Sequence, residues 1–480
     1  MVSATVIYVP DNYSTIQAAI DAAIDGDMII VRDGIYTENI NVNKLLTIIS
    51  ENGSKNCIIQ YSNPDSPVFK VTADYVNISG FTVKGAGYIA NATGILLRYV
   101  NYCNISNNII QHNYHGILLT SSDNNIVANN NVSDNAYGIC LGSSNDNIIR
   151  NNLCSDIYFG IDLTGSSNNK LVNNTIKNNN NGLSLVHSNS NIIEENKLVD
   201  NELIGIELLN SNRNEIRGNS LVNNGAYVAE SYENSIENNT VNSRPLVYLE
   251  NTSDCTIMNA GQIILVKCSN VTAQNLNLSN ASIGIELWET TNSKILDNEI
   301  SNNRVGIYLW DSSTNIMATN NILNNYCGIN MYHSNNNTLM KNNITSSKRF
   351  AIQLFNSSNN LIYLNNFIGV TDIYCVGVNI WNSTSPITYV YNDNIYINYM
   401  GNYWDSYSGS DTDGDGIGDK PYEIIENHYA KDIYPLMQTW ENYLLTPAPT
   451  PIPEFTLTGA IALVELLAVL TGVSLARKRQ

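Results

Sequence analysis

From Gly94 onward the chain alternates apolar and polar residues in short runs, and a Gly-Ile-x-Leu run returns at a fixed interval. Gly94, Gly116, Gly138, Gly160 and Gly182 are each 22 residues apart, and Gly205 follows after 23. The clearest copies adjoin: GIELWETTNSKILDNEISNN from Gly284 and GIYLWDSSTNIMATNNILNN from Gly306. Each copy holds three short apolar runs divided by Ser/Thr/Asn turns. Alternation with period two marks half-buried strands, and a short fixed repeat marks a solenoid. The predicted fold is all-β: a single-stranded right-handed parallel β-helix with three strands per coil. About a dozen coils stacked at ~4.8 Å would make a rod of ~60 Å. A leucine-rich repeat of similar period needs regular Leu and a helical segment, and neither is present.

Within Gly-Ile-x-Leu, Ile and Leu point inward and x outward, because strand side chains alternate. Paired asparagines recur at one turn (Asn129-Asn130, Asn151-Asn152, Asn173-Asn174, Asn342-Asn343). Asn tolerates left-handed backbone, and stacked amides can bond coil to coil. Ahead of the repeats, Asp11–Ile24 predicts a helix with a Ser14/Gln17 capping box and Ile16, Ala19, Ile20 and Ala23 on one face. Such a helix would cover the open end of the first coil. Strands are predicted at Met28–Val31, Asn39–Val42 and Leu46–Ile49. The register blurs between Gly225 and Cys268, where Pro245 interrupts it. Five regions result: a capping segment and first coils (1–60), repeats (61–370), an aromatic, Asn-rich C-terminal cap with an acidic loop (371–445), a Pro-rich linker (446–455) and an apolar tail (456–480).

Composition narrows the function. The 480 residues are 43% hydrophobic but only 14% charged, with net charge −19. A phosphate backbone would be repelled, and no basic stripe offsets this, so nucleic acid is not an expected partner. Eight cysteines form no CxxC pair, which excludes a zinc cluster or redox motif; a Cys140–Cys154 disulfide is left open.

Thr15–Gly53, with TIQAAIDAA and IIVRDGIYTENI, resembles the opening segment of pectin-lyase-like right-handed parallel β-helices. GNYWDSYSGSDTDGDGIGDKPYEI (401–424), taken with the coils, resembles archaeal surface proteins of the NosD-type β-helix family. Relatives with lyase or hydrolase activity use clustered Asp/Glu, often with Lys, Arg or calcium. The family name also implies copper, which requires grouped His, Met or Cys. The five histidines (112, 115, 187, 333, 428) are dispersed, so copper is not expected.

Residues 1–7 carry neither a basic nor an apolar leader, so no signal peptide is expected within them. The tail points to export. TPAPTPIP (446–453) is an extended spacer, Thr456–Ala476 is apolar apart from Glu465 and a few hydroxyls, and Arg477-Lys478-Arg479 follows. Pro453-Glu454-Phe455 with this tail resembles a PEF-type archaeal sorting signal, which implies a membrane anchor and a sortase-type processing enzyme. Sequons at Asn77, Asn91, Asn104, Asn131, Asn270, Asn343 and Asn382 fit an exported glycoprotein.

Three sets of side chains are candidates for chemistry. Asp411, Asp413, Asp415 and Asp419, with the Ile417 carbonyl, follow calcium-loop spacing, although position 12 is Tyr422 and not Glu. Trp288, Trp310, Tyr332 and Phe355 form an outward aromatic series suited to stacking on sugar rings. Asp162 and Glu207, two coils apart with Ser184 between, lie ~9–10 Å apart, the upper limit for an inverting carboxylate pair. Glu286, with Glu289 and Asp311, makes a second acidic group. The expected protein is a surface-anchored β-helix with a structural or glycan-binding role. The alternative is a carbohydrate-active enzyme using outward acids.

Overall fold

The computed structural model describes residues 4–85, 92–369, 372–424 and 430–445. It is a parallel β-solenoid of the right-handed type with about 16 turns. The strand carrying Gly-Ile-x-Leu is the longest of each coil. Successive copies pair in parallel and in register, as with Ile285↔Ile307 and Ile307↔Ile329. The Ile and Leu of each copy have no exposed surface.

The repeated glycine is required by close approach and not by backbone torsion. A Cβ at Gly306 would sit 2.5 Å from the Gly328 carbonyl oxygen one coil above, and one at Gly284 would sit 2.7 Å from that of Gly306. The coils therefore pack backbone against backbone at this corner. At the second turn the paired asparagines divide the work. Asn129, Asn151 and Asn173 adopt left-handed backbone, while Asn130, Asn152 and Asn174 are buried. Asn152 donates from Nδ2 to Asn174 Oδ1 (3.0 Å) and to the Val127 carbonyl (2.9 Å), and its Oδ1 accepts from the Asn130 amides. This ladder satisfies turn groups that no sheet reaches.

The predicted helix is present at Ile16–Ala22, with Ile16, Ala19 and Ile20 buried. Its N-cap is Thr15 and not Ser14: Thr15 Oγ1 accepts from Ala18 N. Glu38, distant in sequence, accepts from the free Ile16 and Gln17 amides, and the Gln17 side chain bonds Asp21 and Asn41 and not Ser14. Strands form at Met28–Val31, Ile40–Val42 and Thr47–Ser50, with another at Gly34–Thr37. All eight cysteines are free, including Cys140 and Cys154, so the disulfide left open above does not form.

The single rod is the main correction. The coils form two stacks. In the first, the long-strand sheet holds nine strands, from Ile40–Val42 to Ala226–Ala229. Thr240–Val241 then pairs antiparallel with Arg244–Glu250 through a hairpin at Asn242-Ser243, and the strand direction reverses. Seven long strands, from Arg244–Glu250 to Ile373–Val376, build the second stack. Past it, a hairpin of Ile387–Tyr391 and Asn394–Asn398, with Leu444–Leu445, packs around Tyr389, Met400 and Leu436.

Candidate functional site

The reversal turns the outer face of the second stack onto the open end of the first. The last long strand of the first stack, Ala226–Ala229, has no further coil to pair with, and side chains from the second stack occupy its edge. Gln262 Oε1 accepts from Ala226 N (2.8 Å), and its Nε2 donates to the Ala226 carbonyl (2.6 Å). The Glu286 carboxylate accepts from Val228 N (3.3 Å), and Ser282 Oγ accepts from Gly225 N (2.9 Å).

Glu286, expected outward in solvent, therefore has no exposed surface. Burial drives its carboxyl well above the ordinary carboxylate range, opposed only by the Val228 N–H. Trp288 is 2% exposed. Its Nε1 donates to the Tyr232 hydroxyl, which donates to Glu289, and Lys267 Nζ lies 3.7 Å from the Tyr232 ring centroid. Glu289 thus belongs to the joint. Neither Glu286 nor Trp288 is presented to an external ligand.

The aromatic series is a stack along the solenoid axis. Trp288 and Trp310 lie 5.0 Å apart at 0°, Trp310 and Tyr332 5.5 Å at 24°, and Tyr332 and Phe355 5.3 Å at 42°. Trp288, Trp310 and Tyr332 turn their faces to one another, while Phe355 is tilted against Tyr332. The stack joins successive coils, with Trp288 buried and Trp310, Tyr332 and Phe355 partly exposed.

Asp162, Ser184 and Glu207 stand on consecutive rungs of the first stack's long-strand sheet, as expected. Ser184 is buried, and its Oγ donates to Glu207 (3.0 Å). Burial pushes the Asp162 carboxyl up to about 6; the Thr164 hydroxyl opposes this and the nearby Glu207 charge adds to it. Burial also raises Glu207, partly offset by Ser184. Tyr227 stands on the next rung and meets Tyr308 of the second stack edge-on at 5.9 Å. The two carboxyls thus approach the inner corner between the stacks, while Glu286 is sealed inside it.

A groove that sequence reasoning missed runs along the turns leading into the long strands and crosses the joint. One section, about 570 Å³, is lined by Ala136, Tyr158, Asn178, Asn180, Asp200 and Glu202. The next, about 390 Å³, shares Glu202 and continues over Asn223, Asn302, Arg304, Tyr326 and Lys348. Tyr158 is 53% and Tyr326 40% exposed. The Arg304 and Arg349 guanidiniums lie 5.6 and 5.9 Å from the Tyr326 ring centroid. The available signal was an aromatic residue just before the long strand, where other coils place residues such as Ala136, Asn180, Leu203 and Ser282.

In the acidic loop, Asp411, Asp413 and Asp415 bring carboxylate oxygens within 4.8 Å of one another. The Tyr396, Tyr389 and Tyr443 hydroxyls donate to the carbonyls of Gly414, Asp415 and Gly416 in turn and fix the backbone. Ile417 is buried, and its N–H donates to Asp415. Asp419 does not join the cluster: it accepts from Ser410 and Thr412, which holds its carboxyl below the usual range. Pro453, Glu454, Phe455 and the apolar tail lie outside the described residues, as do Asn91 and His428. Among the described residues no helix is long and apolar enough to cross a membrane.

The profile of the family described as periplasmic copper-binding protein (NosD) matches three overlapping stretches, residues 3–139, 76–260 and 225–409. The chain belongs to the NosD family. A cell surface glycoprotein of Methanothermus fervidus is 40% identical over 104 residues, which are 21% of this chain and 16% of that protein's length. Solved structures with similar outlines include a family 28 exopolygalacturonase of Yersinia enterocolitica (12% identity, TM-score 0.46, 65% of this chain and 78% of that one). Another is pectate lyase Pel9A (19% identity, TM-score 0.36, 49% and 78%).

Among the described residues no grouped His or Cys set fits the copper of the NosD description. His112, His187 and His333 occupy separate exposed corners, and His115 packs between Tyr114 and Tyr137. The only grouped ligands among the described residues are the three aspartates, a hard oxygen set suited to calcium or magnesium.

Proposed function

We propose that this NosD-family chain is displayed at the cell surface and binds a linear envelope glycan in the groove that crosses the joint. The observation that carries the reading is the groove's lining: partly exposed Tyr158 and Tyr326 among asparagine amides, with Glu202 and Arg304 between them. Sugar rings take C–H contacts from aromatic faces and hydrogen bonds from amides. A groove spanning successive coils suits a polymer better than a compact metabolite. The net charge of −19 favours a neutral glycan over a polyanion. The surface glycoprotein among the relatives supports the location. Affinity electrophoresis through gels containing envelope polysaccharides tests the binding. Retarded wild type, released by Tyr158→Ala with Tyr326→Ala, supports it; equal mobility of both proteins with and without polysaccharide overturns it.

A second reading, polysaccharide hydrolysis or lysis, is favoured by the raised Asp162 and Glu207 carboxyls beside the inner corner. Reducing-end release abolished by Asp162→Asn would establish it. The remaining expectations complete the proposal. The Ile16–Ala22 helix caps the first coil, Asp411, Asp413 and Asp415 hold a structural calcium ion with the Ile417 carbonyl, and the tail after Phe455 delivers the chain to a sortase-type enzyme and the membrane.

A further inference from the structure

The corner after each long strand is built from residues in left-handed backbone. At the second position of that corner most coils use a short polar residue: Asn124, Asp146, Asn168 and Ser190 all lie there with φ between 56° and 58°. Two coils use the long polar Arg213 and Glu233, and two adjacent coils place aromatic rings there, Tyr75 (φ 61°) and Tyr102 (φ 59°). A bulky residue in this region is disfavoured by about 1–2 kcal/mol relative to one that visits it readily. Neither ring repays that cost by burial, since Tyr75 is 51% and Tyr102 53% exposed. Instead they stack on each other, centroids 5.0 Å apart at 14°. About half of each tyrosine stays open to solvent.

Two residues on from each tyrosine is a sequon asparagine, in Tyr75-Val-Asn77-Ile-Ser79 and Tyr102-Cys-Asn104-Ile-Ser106. Asn77 and Asn104 are directly paired on neighbouring strands. Ile78 and Ile105 between the sequon positions are fully buried, so both asparagines lie on the outward side of the pleat and are partly exposed. Asn77 has one side-chain contact, a long 3.3 Å bond to Thr47. Three of the other sequons differ. Asn131 has an enclosed Oδ1, Asn270 is tied to Asp254 at 2.6 Å, and Asn343 accepts from Asn366. Their −2 residues are Asn129, Cys268 and Lys341, none of them aromatic.

We propose that Asn77 and Asn104 are N-glycosylated and that the first sugar of each glycan lies against the solvent-exposed part of the adjacent tyrosine of the Tyr75–Tyr102 pair. The donor is a lipid-phosphate-linked oligosaccharide and the catalyst an oligosaccharyltransferase. The asparagine Nδ2 attacks the anomeric carbon, an N–C bond forms, the C–O bond to the lipid phosphate breaks, and one amide proton is lost to base. Stacking on an aromatic face offsets the entropy of holding the sugar, and it leaves the two chains diverging from one platform. The inference rests on the surface location proposed above.

Glycopeptide mass spectrometry of the full chain purified from its native envelope tests it, with protease shaving of intact cells run in parallel. Hexose- or hexosamine-bearing peptides at Asn77 and Asn104 are expected. In an archaeal host, Tyr75→Ala and Tyr102→Ala should lower occupancy at least twofold or remove the rise in melting temperature that the glycans give. Tyr75→Phe and Tyr102→Phe should retain both. A shaved, surface-exposed chain with both asparagines unmodified overturns the inference and leaves the location standing. A chain inaccessible to shaving overturns the location itself. Full occupancy with occupancy and melting unmoved in the Ala variants overturns the tyrosine platform.

Discussion

Glu286 is the sharpest test of the joint. It is completely buried between the stacks, its carboxylate meets one N–H donor, and its folded-state pKa is raised well above 4.5 by burial. A raised carboxyl favours the folded state when protonated. The stability it contributes is therefore fully present below the unfolded value and is lost as pH rises toward the folded one. Each pH unit in that window costs about 1.4 kcal/mol. Glu286→Gln keeps the shape and an acceptor for the Val228 N–H but cannot ionise. Between pH 5 and 7 the wild type should lose up to about 3 kcal/mol more stability than the Gln variant. Asp162 and Glu207 titrate in the same direction, but they are common to both proteins and cancel in the difference. Urea unfolding at the two pH values, followed by near-ultraviolet circular dichroism, measures it. Parallel pH profiles for the two proteins would refute the sealed joint.

Three further outcomes follow from the packing. Gly306→Ala drives a methyl into the Gly328 carbonyl at 2.5 Å and should destabilise by about 1–3 kcal/mol or prevent folding, read by thermal melting. Asn152→Ala strands the buried Asn130 N–H and cuts the amide ladder between Asn130 and Asn174, so a loss of about 2–5 kcal/mol is expected in denaturant titrations. Millimolar calcium should raise the melting temperature over that in chelator, and Asp411→Asn with Asp413→Asn should abolish the rise; equal melting in both solutions removes calcium from the account.

The coil was legible because its causes are local and recur. Gly at Gly94 through Gly328 marks the backbone contact, the Asn pairs mark the amide ladder, and both follow the same 22-residue interval. The joint was not legible because its contacts join residues 36–58 apart that share no period: Gln262 with Ala226, Glu286 with Val228, Ser282 with Gly225, Trp288 with Tyr232. Its trace in the sequence was the blurred register around Pro245, where the hairpin reverses the chain. Alternation alone placed Glu286 and Trp288 on the outer face, and that much is correct. It gives no information on what covers an outer face. The same limit hid the groove, whose residues come from turns of both stacks. Sequence spacing did bring Asp411, Asp413 and Asp415 together, but Asp419 was diverted by Ser410 and Thr412, nearby donors that spacing does not register.

Glycan binding across the joint is tested most directly by hydrogen–deuterium exchange of the full chain with and without envelope polysaccharide. Protection should appear together around Tyr158, Asn180 and Glu202 of the first stack and Arg304 and Tyr326 of the second. Unchanged exchange at all five, or protection confined to one stack, would contradict it.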